Sequence, residues 1–176
     1  VIVSTDDEEI AHIAKSLSAE VPFLRPKELA QDNSSGIDPV IHALNNLQNV
    51  KDVLLLQPTS PLRRTKDING IFELRSKKNT SSAVSVSESG KHIDLFFEMD
   101  QQKKIKPISK KFKTMPRQKY RRIYNVNGAL YLSTKESLLR NLSFFTSNTI
   151  GYLMPPEYSI DIDTQFDWDI AEFLMK

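Results

Sequence analysis

Val53-Leu54-Leu55-Leu56-Gln57-Pro58-Thr59-Ser60-Pro61-Leu62-Arg63 is the stretch that decides the fold. Val53 to Leu56 is wholly apolar, the pattern of a strand covered on both faces by helices. The run stops at Gln57, and Pro58 and Pro61 prevent a ladder from continuing. Between and after them stand two hydroxyls, Thr59 and Ser60, and a cation, Arg63. In open α/β sheets, ligands bind outside the carboxyl ends of the strands, so a rigid polar loop here is a site candidate. The plainer reading is a strand-to-helix connection with Ser or Thr as helix cap.

Working outward, strands and helices alternate. Upstream, Val1 to Val3 reads as a strand, and Asp6, Asp7, Glu8 and Glu9 open a helix with the stripe Ile10, Ile13, Ala14 and Leu17. Glu20 to Leu24 reads as a second short strand, Ala30 to Gly36 as a loop, and Asp38-Pro39 as the start of a helix with the stripe Ile37, Ile41, Leu44 and Leu47. Downstream, Thr65 caps a helix carrying Ile68, Ile71 and Phe72, and Ser82 to Ser87 is a strand. This order predicts parallel βαβ connections. From Gly90 the pattern loosens into a β-rich excursion, about residues 90–124. Gly128 to Leu132 is again a strand, Lys135 to Leu139 a helix and Thr149 to Met154 a strand. Thr164 caps a last helix with the stripe Phe166, Ile170, Phe173 and Leu174.

The 176 residues suffice for one domain with a sizeable core. No apolar run is long enough to span a membrane, and no signal-peptide pattern opens the chain. The absence of cysteine excludes disulfides and thiolate metal sites and suits a reducing cytoplasm. The net charge of +2 hides an asymmetry, because Lys103 to Arg122 holds ten basic and no acidic residues. Such a block could bind nucleic acid, neutralise a small anion or be a solvated strand. No aromatic stacking pattern or nucleic-acid motif accompanies it, so nucleic acid is not the expected partner. There is no GxxxxGK[ST] or GxGxxG loop. His12, His42 and His92 are scattered.

Ser159-Ile-Asp-Ile-Asp-Thr164 carries the sharpest chemical signal. In an extended segment, Asp161 and Asp163 would share one side while Ile160 and Ile162 anchor the other. Paired carboxylates suit Mg²⁺, which prefers hard oxygen ligands and is often shared with substrate phosphates. The same residues also read as a helix entry capped by Asp163 or Thr164.

Taken together, four stretches resemble the acylneuraminate cytidylyltransferases, the CMP-sialic acid synthetases. They are Val3-Ser-Thr-Asp-Asp7 with Arg25-Pro26, Leu29-Ala30 and Asp32; Leu56 to Arg63; Arg117-Gln118 with Tyr124 and Asn127-Gly-Ala-Leu-Tyr131; and Ser159 to Asp163. The resemblance covers essentially the whole chain. It implies a single three-layer, Rossmann-like nucleotidyltransferase domain, residues 1–176, with a mostly parallel sheet. It implies that a sugar-acid hydroxyl attacks the α-phosphate of CTP, giving a CMP-sugar and pyrophosphate. It places Arg25, Ser34 and Gly36 at the nucleotide. Gln57, Ser60, Arg117, Tyr131, Phe144 and Phe145 would hold an acidic nine-carbon sugar. Asp161 and Asp163 would be catalytic and hold Mg²⁺. A homodimer is expected through the excursion and the Phe144-Phe145 region.

Three features depart from the family pattern. The opening strand and its triphosphate-cradling loop are not among these residues, so the chain reads as N-terminally truncated and poorly active as it stands. Gly36 stands where Ser is common, and Arg121 where Pro is usual. The alternatives are an enzyme activating another nonulosonic acid, legionaminic or pseudaminic, and a non-catalytic α/β module that only dimerises.

Overall fold

Strand β1 (Asp52–Leu55) is apolar on both faces because both faces are covered. Leu54 and Leu56 pack with Ile71, Leu130, Leu132 and Met154. Val53 and Leu55 pack with Val40, Leu44, Val84, Leu138 and Phe144. The first cluster draws on helix α3 (Thr65–Lys78), the second on α2 (Asp38–Asn46) and α4 (Lys135–Asn141). The result is three layers, helices on either side of a sheet, in a computed structural model that describes residues 1–31, 33–109, 116, 118 and 120–176.

The sheet order is β1–β5–β2–β6, with β2 at Ser82–Glu88, β5 at Tyr124–Thr134 and β6 at Ile150–Leu153. Strands β1, β2 and β6 run in one sense, as alternating connections require. Strand β5 runs against them and lies between β1 and β2, so two of the three adjacent pairings are antiparallel. The expectation of mostly parallel pairing is corrected to a mixed sheet. The cause is the excursion, which leaves β2 at Glu88 and returns into β5 at Tyr124, its direct ladder partner. A chain that turns back onto its neighbour pairs antiparallel. Within the excursion, β3 (Phe97–Met99) and β4 (Ile105–Pro107) form a small antiparallel ribbon.

Three local expectations change. Val1 to Val3 and Glu20 to Leu24 meet in a single parallel bridge, Ile2 with Glu20, rather than in two full strands. Helix α1 (Glu8–Ser16) is capped by Asp7, but it buries Ala11 and Ala14 while Ile10, Ile13 and Leu17 are exposed. Helix α5 (Gln165–Met175) is capped by Thr164 as expected, and it buries Ala171 while Phe166 and Phe173 stay more than two-thirds exposed. A stripe read from large apolar residues misses a helix face made of alanines, whose small side chains allow close approach. No helix of the described residues is long and apolar enough to cross a membrane.

Candidate active site

The site is built on an irregularity in the β2–β5 ladder. Val84 pairs with Tyr131 and Val86 with Val126, so Ser85 alone faces the four residues 127–130. Side chains replace the missing ladder bonds. The Leu130 amide donates to Ser85 Oγ at 2.8 Å, and the Ala129 amide to Asn127 Oδ1 at 3.3 Å. Ser85 Oγ donates to the same Oδ1 at 2.5 Å. Bulges of this kind re-aim residues beside active sites. Here the bulge puts Gly128 at φ +74°, in the left-handed region where glycine carries no Cβ penalty.

Three functional groups converge over Gly128. A Cβ at this position would lie 2.9 Å from each of Asp161 Oδ2, Gln57 Oε1 and Ser60 Oγ. Ser60 is 1% exposed, and its hydroxyl lies 3.3 Å from the Asn127 carbonyl and 3.4 Å from Asp161 Oδ1. Tyr131 is half-buried, and burial together with the Asp161 charge pushes its phenol above the ordinary range. The amide of Ile162 donates to Thr59 O at 2.8 Å, so the carboxylate segment is laced to the Gln57 loop. The loop is held from below by Arg63, whose guanidinium donates to the carbonyls of Gln57 and Ser60. Burial lowers the Arg63 pKa, and its donors serve the loop's own carbonyls. This makes it a scaffold for Gln57 and Ser60.

Asp163 does not share this position. Residues 159–164 form no strand, and Asp163 sits exposed on the bend at the entry to α5. Its amide donates to Asp167 Oδ2 at 3.3 Å, inside the capping arrangement of Thr164 and Asp167. The described residues contain no group of three or more His, Asp or Glu placed to hold a metal ion. Asp161 Oδ2, Gln57 Oε1 and Ser60 Oγ do form a hard-oxygen cradle. A partial protein shell of that kind suits Mg²⁺, which keeps waters and takes substrate oxygens.

Arg25 pairs with Asp6 at 3.3 Å, and its Nε is buried without a protein partner. Ser34 donates to Glu28 O at 2.9 Å, and Gly36 is exposed with open space where a side chain would be. Phe144 is 6% exposed and belongs to the core, with its ring 5.6 Å from Tyr131, so it presents no surface to a sugar. Phe145 is 54% exposed, edge-on to Tyr131 at 6.2 Å. Arg117 lies outside the described residues. Gln118, its neighbour in sequence, lines an open cavity of about 710 Å³ with Glu88, His92, Tyr120, Arg121 and Arg122, at the carboxyl end of β2.

Sequence reasoning assigned no role to Ser85, Asn127 or Gly128. An Asn-Gly pair inside a strand pattern is a bulge signal that could have located them. It also missed Arg64, which forks onto buried Asp67 at 2.8 and 3.0 Å and stacks over Tyr158, just before the carboxylate segment.

Known proteins resemble this chain in sequence and in fold. The chain is 34% identical over 168 residues to an N-acylneuraminate cytidylyltransferase of Streptococcus agalactiae, covering 96% of this chain and 40% of that protein. It is 36% identical over 183 residues to the CMP-N,N'-diacetyllegionaminic acid synthase of Legionella pneumophila, covering all of this chain and 78% of that one. The chain thus spans about two-fifths of the length of the streptococcal relative. Its fold matches the structure of CMP:2-keto-3-deoxy-manno-octonic acid synthetase complexed with CTP, with a TM-score of 0.69 over 99% of this chain and 80% of that one, at 14% identity. The cytidylyltransferase family model matches residues 1–174, and the chain belongs to that family.

Proposed function

We propose that the protein transfers CMP from CTP to an acidic nine-carbon sugar of the acylneuraminate type, releasing pyrophosphate. The observation that carries this reading is the convergence of Gln57, Ser60 and Asp161 over Gly128, at the carboxyl ends of the strands in a cytidylyltransferase fold. The sugar hydroxyl oxygen forms a bond to the α-phosphorus as the bond to the bridging β-oxygen breaks. The hydroxyl proton leaves toward Asp161. Such transfers depend on charge neutralisation and in-line positioning more than on covalent catalysis.

Asp161, with Gln57 and Ser60 beside it, would hold Mg²⁺, with Asp163 in a lesser role at the helix entry. Bound there, the metal would supply charge stabilisation at the α-phosphate. Gln57, Tyr131 and Phe145 line the sugar side. Arg117 and Gln118 are suited to a sugar carboxylate, since a guanidinium can grip it with two parallel bonds. Arg25, Ser34 and Gly36 belong to the nucleotide side. We place the protein in the cytoplasm, where both substrates would be made.

The Legionella relative supports a second reading, activation of a diacylated sugar of the legionaminic kind. A dimer is part of the proposal. Met99 and Ile105 on the ribbon and Phe145 near the site are all more than half exposed, and a second copy would cover them. Sedimentation showing only monomer at micromolar concentration would remove that part.

The test of function is pyrophosphate release from CTP and Mg²⁺ with a panel of acid sugars. Release with one or more of them supports the reading, and the preferred sugar names the substrate. A full-length protein that folds and dimerises but releases no pyrophosphate with any of them would instead be a non-catalytic module.

A further inference from the structure

We infer that the Asn127–Ser159 hydrogen bond sets the Asp161 carboxylate in place, which makes Asn127 a positioning residue of the cytidylyl-transfer site; the inference rests on the function proposed above. Asn127 is 3% exposed and carries no charge, so it is not suited to meet a substrate directly. Its two amide ends do different work. Oδ1 accepts from Ser85 Oγ and from the Ala129 amide, which fixes the bulge. Nδ2 reaches out of the sheet to Ser159 Oγ at 2.8 Å, with the Met154 sulfur at 3.6 Å. The Ser159 hydroxyl gives its own proton to Pro155 O at 2.9 Å, which leaves its lone pairs to accept from Asn127. The direction of the Asn127–Ser159 bond is therefore fixed.

Asp161 lies two residues beyond Ser159 and one before Ile162, whose amide is pinned to Thr59 O at 2.8 Å. Residues 159–163 have no ladder to hold them. The carboxylate is thus suspended between two anchors, one on the Gln57 loop and one on the bulge. The bulge that carries Gly128 under the carboxylate is the same one that carries Asn127, so floor and arm of the site belong to one piece of backbone. Releasing the Ser159 anchor leaves Asp161 held by Ile162 and by a long contact to Ser60 at 3.4 Å. A misplacement of about 1 Å in a catalytic constellation is enough to cost roughly 10²-fold in rate.

Replacing Asn127 would empty the bulge and risks unfolding. The informative variants therefore sit on the other side of the bond, Ser159→Ala and Ser159→Thr, made in the full-length protein. Three quantities are measured: the melting temperature, Mn²⁺ binding by electron paramagnetic resonance without substrate, and steady-state CMP transfer with Mg²⁺. We expect Ser159→Ala to lower kcat by about 10-fold or more and to weaken Mn²⁺ binding by about 3-fold or more, in the range for outer-shell partners of metal ligands. Ser159→Thr keeps the acceptor oxygen and restores most of both. The inference is overturned if Ser159→Ala stays within about two-fold of the parent in kcat and Mn²⁺ affinity, whatever its melting temperature, or if threonine restores stability without restoring either quantity. A parent protein that neither binds Mn²⁺ nor transfers CMP would remove the functional reading itself, and this inference with it.

Discussion

The Arg64 guanidinium lies 3.4 Å above the ring centre of Tyr158 while it donates to the buried carboxylate of Asp67. The pair joins the first turn of α3 to the turn that leads into Asp161. Burial alone would raise the Asp67 pKa, but its hydrogen bonds to the Arg64 side chain and backbone outweigh that and hold it below the ordinary 3.8. A depressed carboxylate stabilises the fold above the unfolded-state pKa. As the pH falls below about 4, the unfolded chain takes up the proton first and this stability is lost progressively. Acid unfolding followed by circular dichroism should begin below pH ~4 in the parent, and Asp67→Asn should be less stable at pH 7 with a flatter profile through that range. Parallel profiles for the two proteins would show that Asp67 titrates alike in both states.

Gly70 and Tyr152 fit together only without a side chain at residue 70. A Cβ there would meet the Tyr152 hydroxyl oxygen at 2.5 Å and two ring carbons at 2.7 and 2.8 Å. Alanine in mid-helix normally gains about 1 kcal/mol over glycine, but overpacking costs about 1–3. Gly70→Ala should therefore be neutral to about 2 kcal/mol destabilising in a denaturant melt. Adding Tyr152→Phe, which removes the nearest atom, should recover part of any loss.

Gly128→Ala should abolish most activity at modest cost in stability. The added methyl would collide with Asp161, Gln57 and Ser60 together, in a conformation that disfavours any side chain. We expect roughly 1–3 kcal/mol of destabilisation and a 10²-fold or greater loss of pyrophosphate release. A folded Gly128→Ala protein of normal activity would show that the three groups do not act over this residue.

Asp161 and Asp163 should respond unequally. Asp161→Asn removes a charge from the convergence point and should lower Mg²⁺-dependent release by about 10²-fold or more. Asp163→Asn changes an exposed carboxylate at a helix entry, where Asn serves about as well as Asp, so stability should move by less than about 1 kcal/mol. Its activity loss should be smaller than that of Asp161→Asn. Equal losses in both, with melting unchanged, would place the two carboxylates on the metal alike once substrate is bound.

Much of the architecture was legible because periodicity and turn chemistry report local facts. Thr164 announces the start of α5, and the proline-bounded loop after Leu56 announces the end of β1. The direction of β5 was not legible, since nothing in Gly128 to Leu132 records that Tyr124 pairs with Glu88. Nor did spacing separate the two aspartates. Alternation applies only while a segment is extended, and Asp163 already belongs to a bend. Adjacency misled likewise at Phe144-Phe145, where one ring fills the core and its neighbour faces outward.

The excursion of about 90–124 leaves and re-enters the sheet through one ladder pair, Glu88 and Tyr124. Its two ends are therefore fixed to each other whatever lies between them. Doubling such a segment adds only about 0.6 kcal/mol of closure entropy, and halving it recovers the same amount. Outside the stretch that carries Arg117 and Gln118, length there can drift while the register that holds Asn127 and Gly128 stays where it is. The fold separates a segment free to change its partners from a floor that is not.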